Sequence, residues 1–574
     1  MSITLQGIGI GGGIAIGYAR LVTRTNIEVA HYRLAPEDVR AEIERFENAI
    51  RHTRKELETL WSSIPENAPA ELGAFLSLHI MLLNDHTLSH EPIDLIENEH
   101  CNAEWALQQQ LEVLLSQFDE IEDEYLRERR SDVLQVVERV QKTLAGHDAG
   151  SHIQECGTDC ILVAHDLSPA DMVLFKDSRY LAFITDVGGP TSHTAILARS
   201  LDLPSVLALR HARELIREGE LIIVDGVSGV VVIDPDERVL EEYRTRSEEW
   251  LGKQRALLDI RLSRPVTLDG IEVELFGNIE LPDDTEDALE YGATGIGLFR
   301  SEFLFLSEDD LPTEEEQFEA YRRVVQMMEG RPVVIRTLDL GKDKVAKWQQ
   351  ESLSPNPALG LTGIRLCLAE PQVFRTQLRA ILRASAFGPV KLLLPMLSQI
   401  AEVRATRNHI EEVKAQLREE GIPYGDNVEL GGMIETPAAA VAVAKFLAHL
   451  DYISIGTNDL IQYTMAVDRT DDAVSHLYDP LHPAVLALIS HVIATADRMG
   501  KSVAMCGEMA GDPQLSRLLL GLGLRRFSML PIQLLKVKQQ LLTADLSTIR
   551  PLVERMLAAE ESDQMRDLLL ELNR

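Results

Sequence analysis

A chain of 574 residues with 56 Lys and Arg against 91 Asp and Glu carries a formal charge of −35. At roughly 150 residues per domain it holds about three or four domains, and it has no electrostatic means of gripping nucleic acid or an anionic membrane surface, although a basic protein would be drawn to it. Its 45% hydrophobic and 26% charged content is that of a globular protein. No apolar run reaches the roughly 18 residues of a membrane-spanning helix, the N-terminal residues 1–6 lack the basic start of a secretory leader, and the five cysteines (Cys101, Cys156, Cys160, Cys367, Cys506) read as reduced thiols of a cytoplasmic protein.

The first segment, Gly7-Ile-Gly-Ile-Gly-Gly-Gly13, formally contains a dinucleotide fingerprint. That motif must open a helix, whereas Ile14 to Val22 is patterned as a strand, so the glycines read as a turn between strands. From about Leu34 the period becomes helical: Val39, Ile43, Phe46 and Ile50, then Leu107, Leu111, Leu114 and Phe118, then Val133, Val137, Val140 and Leu144 mark one-sided amphipathic helices. With a further helix near Phe75 to Leu83, residues 25–147 form a helical bundle inserted into an α/β unit made of residues 1–24 and 148–236. Residues 237–262 are charged and helical, a linker helix and the expected hinge.

Beyond it, residues 263–574 carry eight short apolar strands with helical stretches between them: 273–277, 295–299, 333–337, 390–395, 430–434, 452–456, 502–506 and 527–529. Eight such units predict a (β/α)8 barrel, in which residues at the C-terminal ends of the strands converge on one mouth. Arg300, Arg336, Glu435, Asn458, Asp459 and Cys506 stand there, with Arg469 close behind. Mutual pairing is the plainer reading for any one of them. As a set they suit a small, highly anionic substrate with a divalent cation, since guanidinium groups hold phosphate and carboxylate oxygens and Glu435 and Asp459 offer the hard oxygens that Mg²⁺ prefers. Cys506, at a strand end, suits proton transfer better than most free cysteines, whose default is a small buried hydrophobe.

A second constellation is Asp186-Val-Gly-Gly-Pro-Thr-Ser-His193, a strand end and glycine turn leading into helix formers. It places His193 near a helix N-terminus, where the dipole disfavours imidazolium and welcomes an anion, leaving a neutral, nucleophilic ring able to carry a phosphoryl group. Ser168 in the preceding loop reads first as a helix cap and second as a hydrogen-bond partner of His193.

Residues 188–199 around His193, Gly297-Leu-Phe-Arg-Ser-Glu302, Leu311-Pro-Thr-Glu-Glu-Glu316, Ile434-Glu-Thr-Pro437, Ile455-Gly-Thr-Asn-Asp459 and Met505-Cys-Gly-Glu508 together resemble the phosphoenolpyruvate-protein phosphotransferases, Enzyme I of the bacterial sugar phosphotransferase system, over essentially the whole chain. The resemblance implies His193 as the phosphorylated residue and Cys506 as the proton donor. It implies Arg300, Arg336, Asn458, Asp459 and Arg469 as phosphoenolpyruvate contacts and Glu435 with Asp459 as Mg²⁺ ligands. It further implies a bundle that docks the phosphocarrier HPr, with His79 and Arg129 facing it, and a barrel that forms a homodimer. One departure is Thr362, where the family commonly has an arginine. Two alternatives are a dikinase-like enzyme, for which no nucleotide loop is present, and a catalytically silent sensor, against which the intact His193, Cys506 and mouth residues argue.

Overall fold

The computed structural model describes residues 2–22, 31–63, 70–119, 124–146, 159–167, 180–189, 194–195, 198, 203–305, 311–340, 356–425, 427–469, 471, 474–559 and 561–574. They fall into two compact units, Met1–Gln254 and Arg255–Arg574.

The first unit is built on an eight-stranded sheet of β1 (Ile3–Gln6), β2 (Ile8–Ile10), β3 (Ile14–Leu21), β4 (Cys160–Ala164), β5 (Tyr180–Thr185), β6 (Ser205–Leu207), β7 (Leu221–Asp225) and β8 (Val230–Ile233), in the order β1-β8-β7-β3-β4-β5-β6-β2. Strands β3 to β6 run parallel to one another, and β4, buried along its whole length, is a continuous apolar run as a strand covered on both faces should be. The early glycines are indeed a turn between strands. A Cβ on Gly9 would lie 2.3 Å from the Gly226 carbonyl oxygen, so that glycine serves the close approach of two chain segments rather than a cofactor.

Between β3 and β4 lie α1 (Val39–Ser63), α2 (Ala70–Asn84), α3 (His86–Ser89), α4 (Glu91–Glu99), α5 (Ala103–Asp119) and α6 (Glu124–Leu144). Phe46, Ile50, Leu107, Leu111, Val133, Val137, Val140 and Leu144, read from the period as inward-facing, are buried in one core. Asp85 ends the α2 segment by capping α3, its carboxylate accepting the Thr87 amide at 2.8 Å. Cys101, Cys367 and Cys506 are free thiols, but Cys160 is disulfide-bonded, which corrects the expectation of reduced thiols throughout. The helix Glu237–Asp259 is held on the sheet of the first unit by Arg246, 2.7 Å from the buried Asp225, and by Trp250, whose ring covers Gly12 and Gly13.

The second unit is a closed, all-parallel barrel of β9 (Glu274–Ile279), β10 (Ile296–Arg300), β11 (Val333–Arg336), β12 (Val390–Leu394), β13 (Glu429–Ile434), β14 (Tyr452–Ile455), β15 (Ser502–Met505) and β16 (Arg526–Met529). All eight sequence-predicted strands are present, with ends moved by a residue or two. Leu298, Val334, Leu393, Met433, Tyr452 and Cys506 pack together as the inner filling, apart from the larger core that joins strands to outer helices. The run Thr313-Glu-Glu-Glu316 is a capping box, the Thr313 and Glu316 side chains each satisfying the other's backbone amide, so that motif serves helix initiation.

Candidate functional site

Arg300 and Arg336 are the last residues of adjacent strands β10 and β11, paired in register. Arg300 reaches Glu280, just beyond β9, at 2.5 Å. Arg336 is buried, bonded to Glu302 and, at 2.7 Å, to Asp339. Burial works against its charge, but Asp339, Glu302 and Glu435 outweigh that cost and raise its pKa. Gln377 fixes the backbone behind it, donating to Ser301, whose hydroxyl donates to the Arg336 carbonyl at 2.6 Å.

Glu435 follows β13 and is fully buried. Its Oε1 accepts the Met396 amide, while its Oε2 has no hydrogen-bond partner among the described residues. Burial, and then the charges of Asp339 and Asp459, push its carboxyl well above the usual range, against the pull of Arg336. Asp459, in the first turn of the helix after β14, is raised by burial and by Asp339, with Arg469, Arg336 and Arg300 opposing. Buried carboxyls whose protons are held on by neighbouring negative charge, with the Oε2 atoms of Glu435 and Glu302 unbonded among the described residues, are an arrangement a cation would relieve. Among the described residues no three His, Cys, Asp or Glu side chains form a ready-made metal cage.

Asn458 and Glu508 hold each other: the Asn458 amide donates to Glu508 at 2.8 Å and its oxygen accepts the Glu508 backbone N–H at 2.9 Å. Arg469 lies 3.4 Å from the same carboxylate. Cys506 is buried beyond β15, where Asn278 donates to its carbonyl at 3.1 Å and the Ser454 hydroxyl donates to its Sγ at 3.2 Å. Burial pushes the thiol up to about 11, although Ser454, Arg336 and Arg300 pull the other way. The mouth thus brings together every barrel residue singled out in the sequence.

It also adds Glu280, Glu302, Asp339, Asn278 and Ser454, which sequence reasoning passed over. Their signal was weak: Glu302 and Asp339 stand two and three residues beyond a chosen arginine, but nothing local says that a carboxylate turns inward. Thr362 is half-buried beside Gly363, near Asp339, and the nearby guanidinium of Arg365 contacts Ser398 at 3.4 Å.

In the first unit His193 and Ser168 lie outside the described residues. Their neighbours are described. Asp186, buried after β5, accepts the Ala212 amide at 2.6 Å and the Arg213 guanidinium at 3.0 Å. Thr194, the residue after His193 in sequence, donates to the Leu167 carbonyl at 3.2 Å, which ties Thr194 itself to the loop after β4. His79 is only 2% exposed and faces Asp132 at 3.6 Å across α2 and α6, so the expectation that it meets a partner is corrected: it lies on the packed face of its helix. The side chain of Arg129 lies outside the described residues.

The model of the PEP-binding domain of PEP-utilising enzymes matches residues 256–546, that of their N-terminal part residues 6–129, and that of their mobile domain residues 157–229. Barrel and mouth therefore define a phosphoenolpyruvate-utilising enzyme. A phosphoenolpyruvate-protein phosphotransferase of Cupriavidus necator is 50% identical over 585 aligned residues, covering 100% of both chains, and those of Bacillus sp. and Staphylococcus epidermidis are 40% and 39% identical over 99% and 100% of this chain and 96% and 100% of theirs. The chain belongs to the phosphoenolpyruvate-protein phosphotransferase family and is a transferase. Among the described residues no helix is long and apolar enough to cross a membrane.

Proposed function

We propose that the protein takes the phosphoryl group of phosphoenolpyruvate onto its own His193, releases pyruvate, and passes the group to the histidine of the phosphocarrier HPr, the first step of sugar uptake by the phosphotransferase system. The observation that carries this reading is the mouth itself: three arginines each paired with a carboxylate, buried carboxylates with the Oε2 atoms of Glu302 and Glu435 unbonded among the described residues, and a protonated thiol. Arg300, Arg336 and Arg469 hold the phosphate and carboxylate of the substrate and spread the charge of transfer, and Asn458 and Asp459 orient it. His193 attacks phosphorus in line. The enolate left behind accepts a proton at its methylene carbon from Cys506, whose thiol stays protonated at neutral pH, as a general acid must.

Glu435 and Asp459 fit Mg²⁺, which takes one or two carboxylates and fills its shell with water and substrate oxygens rather than needing an all-protein cage. Bound there, Mg²⁺ would supply charge stabilisation for the phosphoryl group and the enolate. The α/β part, residues 1–24 and 148–236, carries the phosphohistidine; residues 25–147 dock HPr; residues 237–262 link them to the barrel, residues 263–574, which also forms the homodimer. The setting is cytoplasmic. The test is intact mass after incubation with phosphoenolpyruvate and Mg²⁺. One added phosphoryl group is expected, absent in His193→Ala, while a phosphorylated His193→Ala protein would sink the assignment.

A further inference from the structure

Ser454 and Cys506 are partners inside the barrel. Ser454 sits on β14 two residues after Tyr452, so both side chains point to the inner face, and Tyr452 belongs to the apolar filling with Leu298, Val334, Leu393, Met433 and Cys506. A hydroxyl in such a place loses water and needs a strong acceptor. Ser454 is 2% exposed, and its hydroxyl donates to Cys506 Sγ at 3.2 Å. A neutral thiol is a weak acceptor, so in the resting protein the hydroxyl is poorly repaid. A thiolate is a strong one, because hydrogen bonds to a charged partner are shorter and about twice as strong. The pair is matched to a state in which sulfur is negative.

We infer that Ser454 is a positioning residue for Cys506: it holds Sγ at the mouth and stabilises the thiolate that forms when the thiol gives up its proton. The inference rests on Cys506 as the proton donor. In the step concerned, the S–H bond breaks and its electron pair stays on sulfur. The enolate π electrons form the new C–H bond at the methylene carbon, and the enolate C–O becomes the ketone of pyruvate. The thiolate, held by the Ser454 O–H, then regains a proton from water. Arg336 and Arg300 bear on the same sulfur from the side of the substrate, so Ser454 supplies from the strand wall what they supply from the mouth.

The experiment is a double-mutant cycle on the full-length protein, with pyruvate formation in a single turnover and KM for phosphoenolpyruvate as readouts. Ser454→Ala should lower the rate of pyruvate formation by on the order of tenfold to a hundredfold, leave KM within about twofold, and keep the thermal midpoint, since a hydroxyl bonded only to a neutral thiol contributes little. In a Cys506→Ala background the same substitution should change the rate by less than about twofold. An unchanged rate in Ser454→Ala, or a loss that multiplies in full on Cys506→Ala, would overturn the role. If Cys506→Ala alone formed pyruvate at the native rate, the assignment of the proton donor would fall and the inference with it, a result distinguishable from failure of Ser454 alone.

Discussion

Glu435 is held out of water with one oxygen on the Met396 amide and the other on no hydrogen-bond donor among the described residues. Such a group is costly to the folded state, and its raised pKa gives the sign. Between the ordinary carboxylate range and the raised value, the folded state keeps a proton that the unfolded chain has released, so metal-free stability falls as pH rises through that window. Glu435→Gln should therefore raise the melting temperature in the presence of a chelator, by the equivalent of about 1–3 kcal/mol, and flatten that part of the pH dependence while abolishing turnover. Calorimetry across pH with and without the substitution checks it, and a lowered melting temperature would show that the charge is needed by Arg336 even in the metal-free state. The chosen residues were legible because arginine, acid and cysteine at strand ends are rare and convergent. Their carboxylate partners, Glu280, Glu302 and Asp339, were not, because pairing depends on which way a side chain turns after its strand ends.

At the scale of elements, β13 shows how the barrel is filled. A Cβ on Gly431 would lie 2.2 Å from Tyr452 Cζ, so the missing side chain is the space the tyrosine ring occupies, with its hydroxyl on the Leu392 carbonyl at 3.0 Å. Gly431→Ala should overpack this layer and destabilise the barrel by about 1–3 kcal/mol, read as a shifted denaturant midpoint of the second unit with little change in the first. Equal stability would mean that the ring has room to move. The strands themselves were legible, since a short apolar run between helical stretches leaves few alternatives. The tight Gly431–Tyr452 fit was not, because it joins residues from two strands whose register is set only on closure. His79 illustrates the converse error: one histidine on a helix carries no sign of the face it occupies, and here Asp132 lies opposite.

At the scale of the molecule, the first unit ends at Gln254 with its own sheet and helical core. A fragment of residues 1–259 keeps the His193 segment and lacks every mouth residue. It should fold alone, take no label from phosphoenolpyruvate, and accept label from phosphorylated HPr. Labelling by phosphoenolpyruvate would remove the barrel as the substrate site, and failure of a folded fragment with phosphorylated HPr would remove the partner or its docking face. The alternation of helical and strand periods made the insertion of the helices legible; the pairing of β3 with β4 across them could not be read from either strand alone. That pairing has a consequence during synthesis. Ile3 lies opposite Ile233, and Tyr18 opposite Cys160, so the strands that leave the ribosome first are among the last to find partners. At about 5–20 residues per second they wait from several seconds to some tens of seconds, while the helices between them can already pack. Nascent chains in which α1 to α6 have emerged and β4 has not should therefore resist protease in those helices and be cut in residues 2–22, and protection of those first strands would begin when β4 reaches β3 and be complete only once β8 reaches β1.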